Sequence, residues 1–251
     1  MTLETFFREV PRAAVAFSGG TDSAFLLWAA KKQGCQIQAY YIHTAFQPRF
    51  ELEDARRLAG ELGIPMQVID MDILGVPEAA QNGPRRCYYC KRALFTRLRE
   101  QAAKDGYTVL LDGTNASDDA GDRPGMQALR ELRVRSPLRE CGITKDMVRS
   151  LSREAGLFTW DKPAYACLAT RIPTGTEITR EDLQRAEQAE TALMALGFRD
   201  FRVRLSGEKA RLQVTGEQMA LAVDKRSEIV QALKPLFQEV LLDLEERSPS
   251  V

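Results

Sequence analysis

The sequence predicts an α/β fold built on a parallel sheet, followed by a small α+β domain. Two observations carry this expectation. A helix-length stretch, a glycine and a short apolar run recur in that order through the first half of the chain, and a serine- and glycine-rich turn joins the first apolar run to a helix. The glycine closes each helix in the left-handed conformation, and the run after it is too short for a buried helix but right for a strand covered on both faces. Strands alternating with helices pair in parallel, because each crossover carries the chain back to the same end of the sheet. Composition agrees: 251 residues, 44% hydrophobic and 28% charged, hold enough apolar material for a core.

The elements follow in order. Residues 13–17 form the opening strand and 24–32 the first helix, which Gly34 ends. Residues 37–42 make the second strand; a helix stops at Gly63 and leads to a strand over 66–69. Arg86 begins a helix that Gly106 closes before a strand over 108–111. Thr144 starts another helix, ending at Gly156, and residues 160–175, with Pro163, Pro173 and little apolar periodicity, read as a functional loop. Thr179 and Asp182 resemble a capping box for a helix whose Leu183, Ala186, Ala189, Leu193 and Leu196 share a face, and Gly197 stops it. Strands at 201–205 and 210–214, a helix at 226–233 and a strand at 240–244 complete the chain. The expected division is 1–175 and 176–251, the second part small enough to lean on the first or on another subunit.

Thirty-five basic against 35 acidic residues give no global field to hold a polyanion, which disfavours stable nucleic-acid binding. The amino terminus lacks an apolar targeting segment and no apolar run approaches the ~18 residues a membrane span needs, so a cytoplasmic protein is expected. Five cysteines suit a reducing compartment, where an unusual cysteine does chemistry or binds metal.

Ser18-Gly19-Gly20-Thr21-Asp22-Ser23 lies between the first strand and the first helix. Its glycines let the backbone approach an anion, the helix start offers N–H groups and the dipole, and Ser18 and Ser23 add hydroxyls. It matches neither a Walker A loop nor a dinucleotide fingerprint and resembles the PP-loop of ATP pyrophosphatases. That resemblance implies ATP bound with Mg²⁺ that Asp22 helps to position. Asp112, Asp118, Asp119 and Asp122 form an acidic cluster that could hold Mg²⁺ or orient a substrate; Asp112, at the tip of the strand ending in Leu111, is the better candidate, and for Asp118 and Asp119 a solvated loop with caps serves equally well.

Cys87 and Cys90 form a C-x-x-C at a helix start, and Cys167 lies in the loop before the second domain. Two sulfurs one turn apart, with the helix dipole favouring thiolates, invite a metal. A 4Fe-4S cluster on Cys87, Cys90 and Cys167 with one open iron, a redox or persulfide thiol pair, zinc and inert thiols all stay open, although the single histidine, His43, makes closed zinc the poorer fit. Cys35 and Cys141 read as small hydrophobes, Trp28 and the Phe6-Phe7 pair as core or interface, and His43, with no visible partner, takes no role.

Together the phosphate loop, Arg86-Cys-Tyr-Tyr-Cys-Lys91, Leu111-Asp-Gly-Thr-Asn115, Asp122-Arg-Pro-Gly125 and Cys167-Leu-Ala-Thr-Arg171 are similar to the LarE family over residues 10–245. These are pyridinium-3,5-biscarboxylic acid mononucleotide sulfurtransferases of nickel-pincer nucleotide biosynthesis. The resemblance implies adenylation of a substrate carboxylate and its conversion to a thiocarboxylate, with catalytic roles for Asp22 and Cys167. It implies ATP on Ser18, Gly19, Gly20, Asp22, Ser23 and Asp112, and a substrate phosphate on Arg202 with Arg171 and Arg211 in support. The extra Cys87 and Cys90 align it with the cluster-bearing kind rather than with members that sacrifice the cysteine corresponding to Cys167. Glu190 and Asp224 match family positions that hold a divalent metal near a subunit interface, with exposed helix charges the plain alternative. A homo-oligomer, a hexamer by resemblance, and an unidentified sulfur donor are also implied. The rival is a PP-loop tRNA thiolase, which couples adenylation to a similar cluster but would need a basic face; an ammonia-using ligase and a non-enzymatic nucleotide binder are more distant.

Overall fold

In the computed structural model, residues 1–118 and 124–248 are described. The chain divides into two units, Met1–Val76 with Arg85–Lys162 and Pro77–Pro84 with Pro163–Val251.

The first unit begins with helix α1 (Leu3–Glu9), then strand β1 (Arg12–Ala16), α2 (Thr21–Lys32), β2 (Gln36–His43), α3 (Arg49–Glu61) and β3 (Met66–Asp70). The short α4 (Pro77–Ala80) belongs to the second unit. The first resumes with α5 (Arg86–Lys104), β4 (Leu110–Leu111), α6 (Pro124–Glu131), α7 (Pro137–Glu140) and α8 (Lys145–Glu154). Its sheet has the order β3-β2-β1-β4, every pair parallel, as the alternation of strands and helices predicts. Strand side chains point alternately to opposite faces, and β1 shows it. Ala13 and Val15 pack with Phe25 and Leu26 of α2, Leu58 of α3 and Val148 of α8, whereas Ala14 packs with Leu98 and Ala102 of α5. Phe6 and Phe7 are core residues and Trp28 packs against the same cluster, stacked on Phe25.

The expected strand at 108–111 shortens to two paired residues. It is an edge of the sheet; beyond it, among the described residues, only Arg135 bridges to Leu111, while the Val109 carbonyl still accepts from Ala14 N–H.

The second unit adds α9 (Arg180–Ala195), β5 (Arg202–Ser206), β6 (Lys209–Gln213), α10 (Gly216–Asp224), α11 (Arg226–Leu233) and β7 (Glu239–Leu242). Strands β5 and β6 pair antiparallel across the turn at 206–209, and β6 pairs parallel with β7. The α9 cap is as predicted: Thr179 Oγ1 accepts from Asp182 N–H at 3.1 Å. Leu183, Ala186, Ala189 and Leu193 are all buried. Helices α1, α4, α6, α7 and α10 were not anticipated, each being a short segment of four to nine residues with at most three buried positions.

Candidate active site

At the carboxyl ends of β1, β2 and β4 lies a cavity of about 350 Å³ in the first unit. Ser18, Gly20, Asp22, Ser23, Asp112 and Gly113 form one side, and Tyr40, Ile42, Leu94, Phe95 and Leu98 supply an apolar wall. Open parallel sheets gather ligands at this edge, and a polar cradle beside an apolar wall is the shape of a nucleotide site.

The loop is held tightly. Gly19 has φ 76°, and a Cβ there would come 2.8 Å from the Glu51 carbonyl oxygen, so only glycine fits. Ser18 Oγ and Ser23 Oγ are 3.1 Å apart, Ser23 Oγ donates to the Gly20 carbonyl, and Thr21 Oγ1 donates to the Thr159 carbonyl at 2.8 Å. The start of α2 carries no capping side chain, which leaves its first N–H groups for an anion.

Asp22 accepts from Lys145 Nζ at 2.7 Å and from Asn115 Nδ2 at 3.3 Å. Asp112 is nearly buried and accepts from Thr114 Oγ1 at 2.5 Å and Ser136 Oγ at 2.6 Å, so it shapes the loop at the strand tip as well as facing the cavity. Asp118 lines the cavity and caps the loop by accepting from Asn115 N–H, while Asp119 and Asp122 lie outside the described residues. Lys91 faces the cavity too, and Lys162 Nζ reaches Asp54 at 2.7 Å and the Gly19 carbonyl at 3.4 Å. Sequence reasoning assigned roles to none of these three lysines: Lys145 is 123 residues from Asp22 and no spacing announces the pair.

His43 has a partner after all. The β2–β3 register sets it opposite Asp70, and Nδ1 lies 2.8 Å from the carboxylate.

No disulfide joins any of the five cysteines. Cys87, exposed, and Cys90, half-buried, share the first turn and a half of α5, with Arg86 Nη2 3.8 Å from the Cys87 sulfur. Cys35 is buried against the Val10 carbonyl, and burial pushes its thiol up to about 11; burial raises Cys141 as well. Among the described residues no group of three or more His, Cys, Asp or Glu side chains is gathered as a metal site.

In the second unit Cys167 is half-buried and precedes a 3₁₀ turn, Leu168–Arg171. Arg171 and Glu190 are almost fully buried and pair through two contacts of 2.8 Å, Nε to Oε1 and Nη2 to Oε2. Glu190 also accepts from Val203 N–H at 2.8 Å and from the Tyr165 hydroxyl. It is thus no exposed helix charge, whereas Asp224 is exposed at the end of α10. Burial opposes the charge on Arg171, but the hydrogen bonds and charge of Glu190 outweigh it and hold the guanidinium protonated. Arg202 is buried and donates to the Phe201 and Ala164 carbonyls; burial first, then Arg171 and Arg247, press its pKa down to about 10. Arg204 and Arg211 line a second cavity of about 570 Å³ together with Arg171, Thr170 and Lys209.

The geometry of the nucleotide cradle agrees with what the chain is similar to. Residues 12–80, which span the loop and the first three strands, match the pattern of queuosine biosynthesis protein QueC. An uncharacterized protein of Synechocystis sp. is 41% identical, the match covering 97% of this chain and 92% of that one. The pyridinium-3,5-bisthiocarboxylic acid mononucleotide synthase of Lactiplantibacillus plantarum is 32% identical, with 97% of this chain and 89% of that one covered. A tRNA-specific 2-thiouridylase, MnmA of Pseudothermotoga lettingae, is 25% identical over 66% of this chain and 58% of its own length. With a PP-loop on a parallel sheet, a second α+β unit and near full-length similarity to the synthase, the chain belongs to the LarE family.

Proposed function

We propose that the protein is an ATP-dependent sulfurtransferase that adenylates a carboxylate of pyridinium-3,5-biscarboxylic acid mononucleotide and converts it to a thiocarboxylate. The observation that carries the reading is the near full-length similarity to the synthase, in a chain whose phosphate loop opens into a nucleotide-sized cavity.

The chain's own residues do the first half. The β,γ-pyrophosphate sits on the N–H groups at the start of α2 and on Ser18 and Ser23, and the adenine lies against the wall of Tyr40, Ile42 and Phe95. Mg²⁺ fits here because it is held by one or two carboxylates, substrate phosphates and water rather than by a protein cage, and Asp22 and Asp118 both face the cavity. A substrate carboxylate oxygen attacks the α-phosphorus, pyrophosphate leaves, and the carbonyl now carries AMP in place of an oxide that could not depart. Lys145 and Lys91 offset the charge that builds on the phosphates. Sulfide then displaces AMP.

Arg204 and Arg211 face the cavity of about 570 Å³ in the second unit, which suits the substrate's 5′-phosphate. The guanidinium of Arg202, which the family resemblance assigns to that phosphate, already donates to two carbonyls and adds its charge to the same field. For a 4Fe-4S cluster the donors are right in kind, since cysteine thiolates are what such a cluster takes: Cys87 and Cys90 stand at a helix start in the first unit, flanked by Arg86 and Lys91, and the family resemblance adds Cys167 of the second unit as third thiolate. Bound there, a cluster would supply a sulfide on an iron that no protein group occupies. We assign the protein to a reducing cytoplasm, the first unit to activation and the second to substrate binding and assembly as a homo-oligomer. Among the described residues no helix is long and apolar enough to cross a membrane.

The test is anaerobic turnover of iron-reconstituted protein with Mg-ATP, sulfide and the biscarboxylated nucleotide, read by mass spectrometry. Repeated replacement of oxygen by sulfur with stoichiometric AMP is expected. One turnover with Cys167 converted to dehydroalanine would make the protein a sacrificial donor, and AMP release only on adding unmodified tRNA would favour the thiolase that the MnmA similarity suggests.

A further inference from the structure

The loop that carries Cys167 has no strand or helix ladder over residues 163–167, so its carbonyls must find donors elsewhere. They find arginines. Arg202 Nη2 donates to the Ala164 carbonyl at 2.7 Å, Arg171 Nη1 to the Ala166 carbonyl at 2.8 Å and to the Cys167 carbonyl at 3.4 Å, and Arg204 Nη1 to the Thr170 carbonyl. Thr170 completes the turn: its N–H and its hydroxyl both donate to the Cys167 carbonyl at 2.9 Å, and the same hydroxyl accepts from Arg171 Nη1 at 2.8 Å.

Arg171 is the centre of this arrangement, and Glu190 sets its plane. A guanidinium gripped by a carboxylate through two parallel bonds cannot rotate, so the remaining Nη1 group is aimed in one direction. Glu190 is itself fixed by the β5 backbone at Val203 and by Tyr165, whose ring lies 4.5 Å from the Arg171 guanidinium carbon. Every link lies in the second unit.

We propose that Arg171, oriented by Glu190, is a positioning residue that fixes the Cys167 turn, and that the buried carboxylate serves this purpose rather than metal binding. The pair connects β5 and α9 to the backbone of Cys167, so the loop's own Thr170 and Arg171 set the direction of the Cys167 side chain only because the core of the unit holds Arg171 in place. Lysine cannot replace Arg171, since an ammonium has no fork to be held at one end while pointing from the other.

The test compares Arg171→Lys with wild type by hydrogen exchange, by the rate of Cys167 alkylation in metal-free protein and by steady-state kinetics. Exchange over residues 165–172 should quicken by about tenfold or more while β5 and β6 keep their protection. Cys167 alkylation should change with it, and kcat for sulfur transfer should fall by about 100-fold with the KM for ATP within roughly twofold, as a small misplacement of a reacting group predicts. Unchanged exchange in the loop, exchange quickened throughout the unit, or a loosened loop with unaltered alkylation or kcat would each overturn the proposal. Should Arg171→Lys fail to fold, Glu190→Gln, which keeps an acceptor for Val203 N–H, is read in the same way. The kinetic arm rests on the sulfur-transfer reading, but exchange and alkylation do not. A wild type that transfers no sulfur would therefore remove that reading alone and leave the clamp to be judged by the other two measurements.

Discussion

Asp22 and Lys145 show how one pair organises the nucleotide cradle. The carboxylate is only partly exposed, accepts from Lys145 and Asn115, and still faces the cavity. Asp22→Asn should reduce AMP formation by about 100- to 1,000-fold, the range for loss of one preorganised charged group, with the fold kept, as pyrophosphate release and circular dichroism would show. A second residue-scale expectation concerns Cys35. Its buried thiol is pushed from an ordinary 9.0 up to about 11, so the neutral form is favoured in the folded state. The stability this confers is complete below about pH 9 and is lost as pH rises through the folded value near 11. Urea unfolding across that window should weaken more steeply in wild type than in Cys35→Ala. At pH 8, iodoacetamide should label the exposed Cys87 and leave Cys35 untouched.

At the scale of elements, what matters is how closely the loop after β4 approaches the start of α2. A Cβ on Gly113 would lie 2.8 Å from Ser23 N, against backbone that cannot yield. Gly113→Ala should therefore weaken ATP binding by about tenfold or more and cost about 1–3 kcal/mol of stability, measured by calorimetric titration and urea unfolding. Thr179→Ala, which removes the α9 cap, should cost about 1 kcal/mol and lower Tm by about 2–4 °C. Elements of this kind were legible because they are local: Thr179 with Gly197 brackets α9, and the phosphate loop is six consecutive residues. The exposed-charge alternative for Glu190 fails, and the signal against it was present in the sequence. Glu190 stands four residues after Ala186 and three before Leu193, on the buried stripe, where a carboxylate implies a buried partner. The partner, Arg171, lies outside the helix, and no periodicity points to it. The Asp22–Lys145 pair was illegible for the same reason, since crossover packing creates it rather than neighbouring sequence.

For the whole molecule, zero net charge leaves local fields to do the work, and the second unit concentrates them: Arg171 and Arg247 act on both Arg202 and Arg204, against Glu190. The same unit exposes Val223, Val230, Leu241 and Leu244, with Leu244 at 86%. Copies of the chain would cover such residues. Leu241→Glu combined with Val230→Glu should convert the proposed homo-oligomer to a smaller species by light scattering while each chain stays folded; an unchanged mass would overturn these residues as subunit contacts.

The second unit takes residues 77–84 from the middle of the first, so three covalent connections join the two. Within it Asn82, fully buried at φ 55°, donates to the Pro173 carbonyl at 2.9 Å, and its own carbonyl accepts from Gly175 N–H. On the ribosome this segment emerges about 80 residues ahead of the rest of its unit. At roughly 5–20 residues per second it waits several seconds for the strand of chain it will bind. The first unit can close its sheet during that interval, but the second cannot begin until the chain from Pro163 onward has emerged. A single proteolytic cut after Lys162 would not release an intact second unit either, because its inserted segment would remain with the other piece.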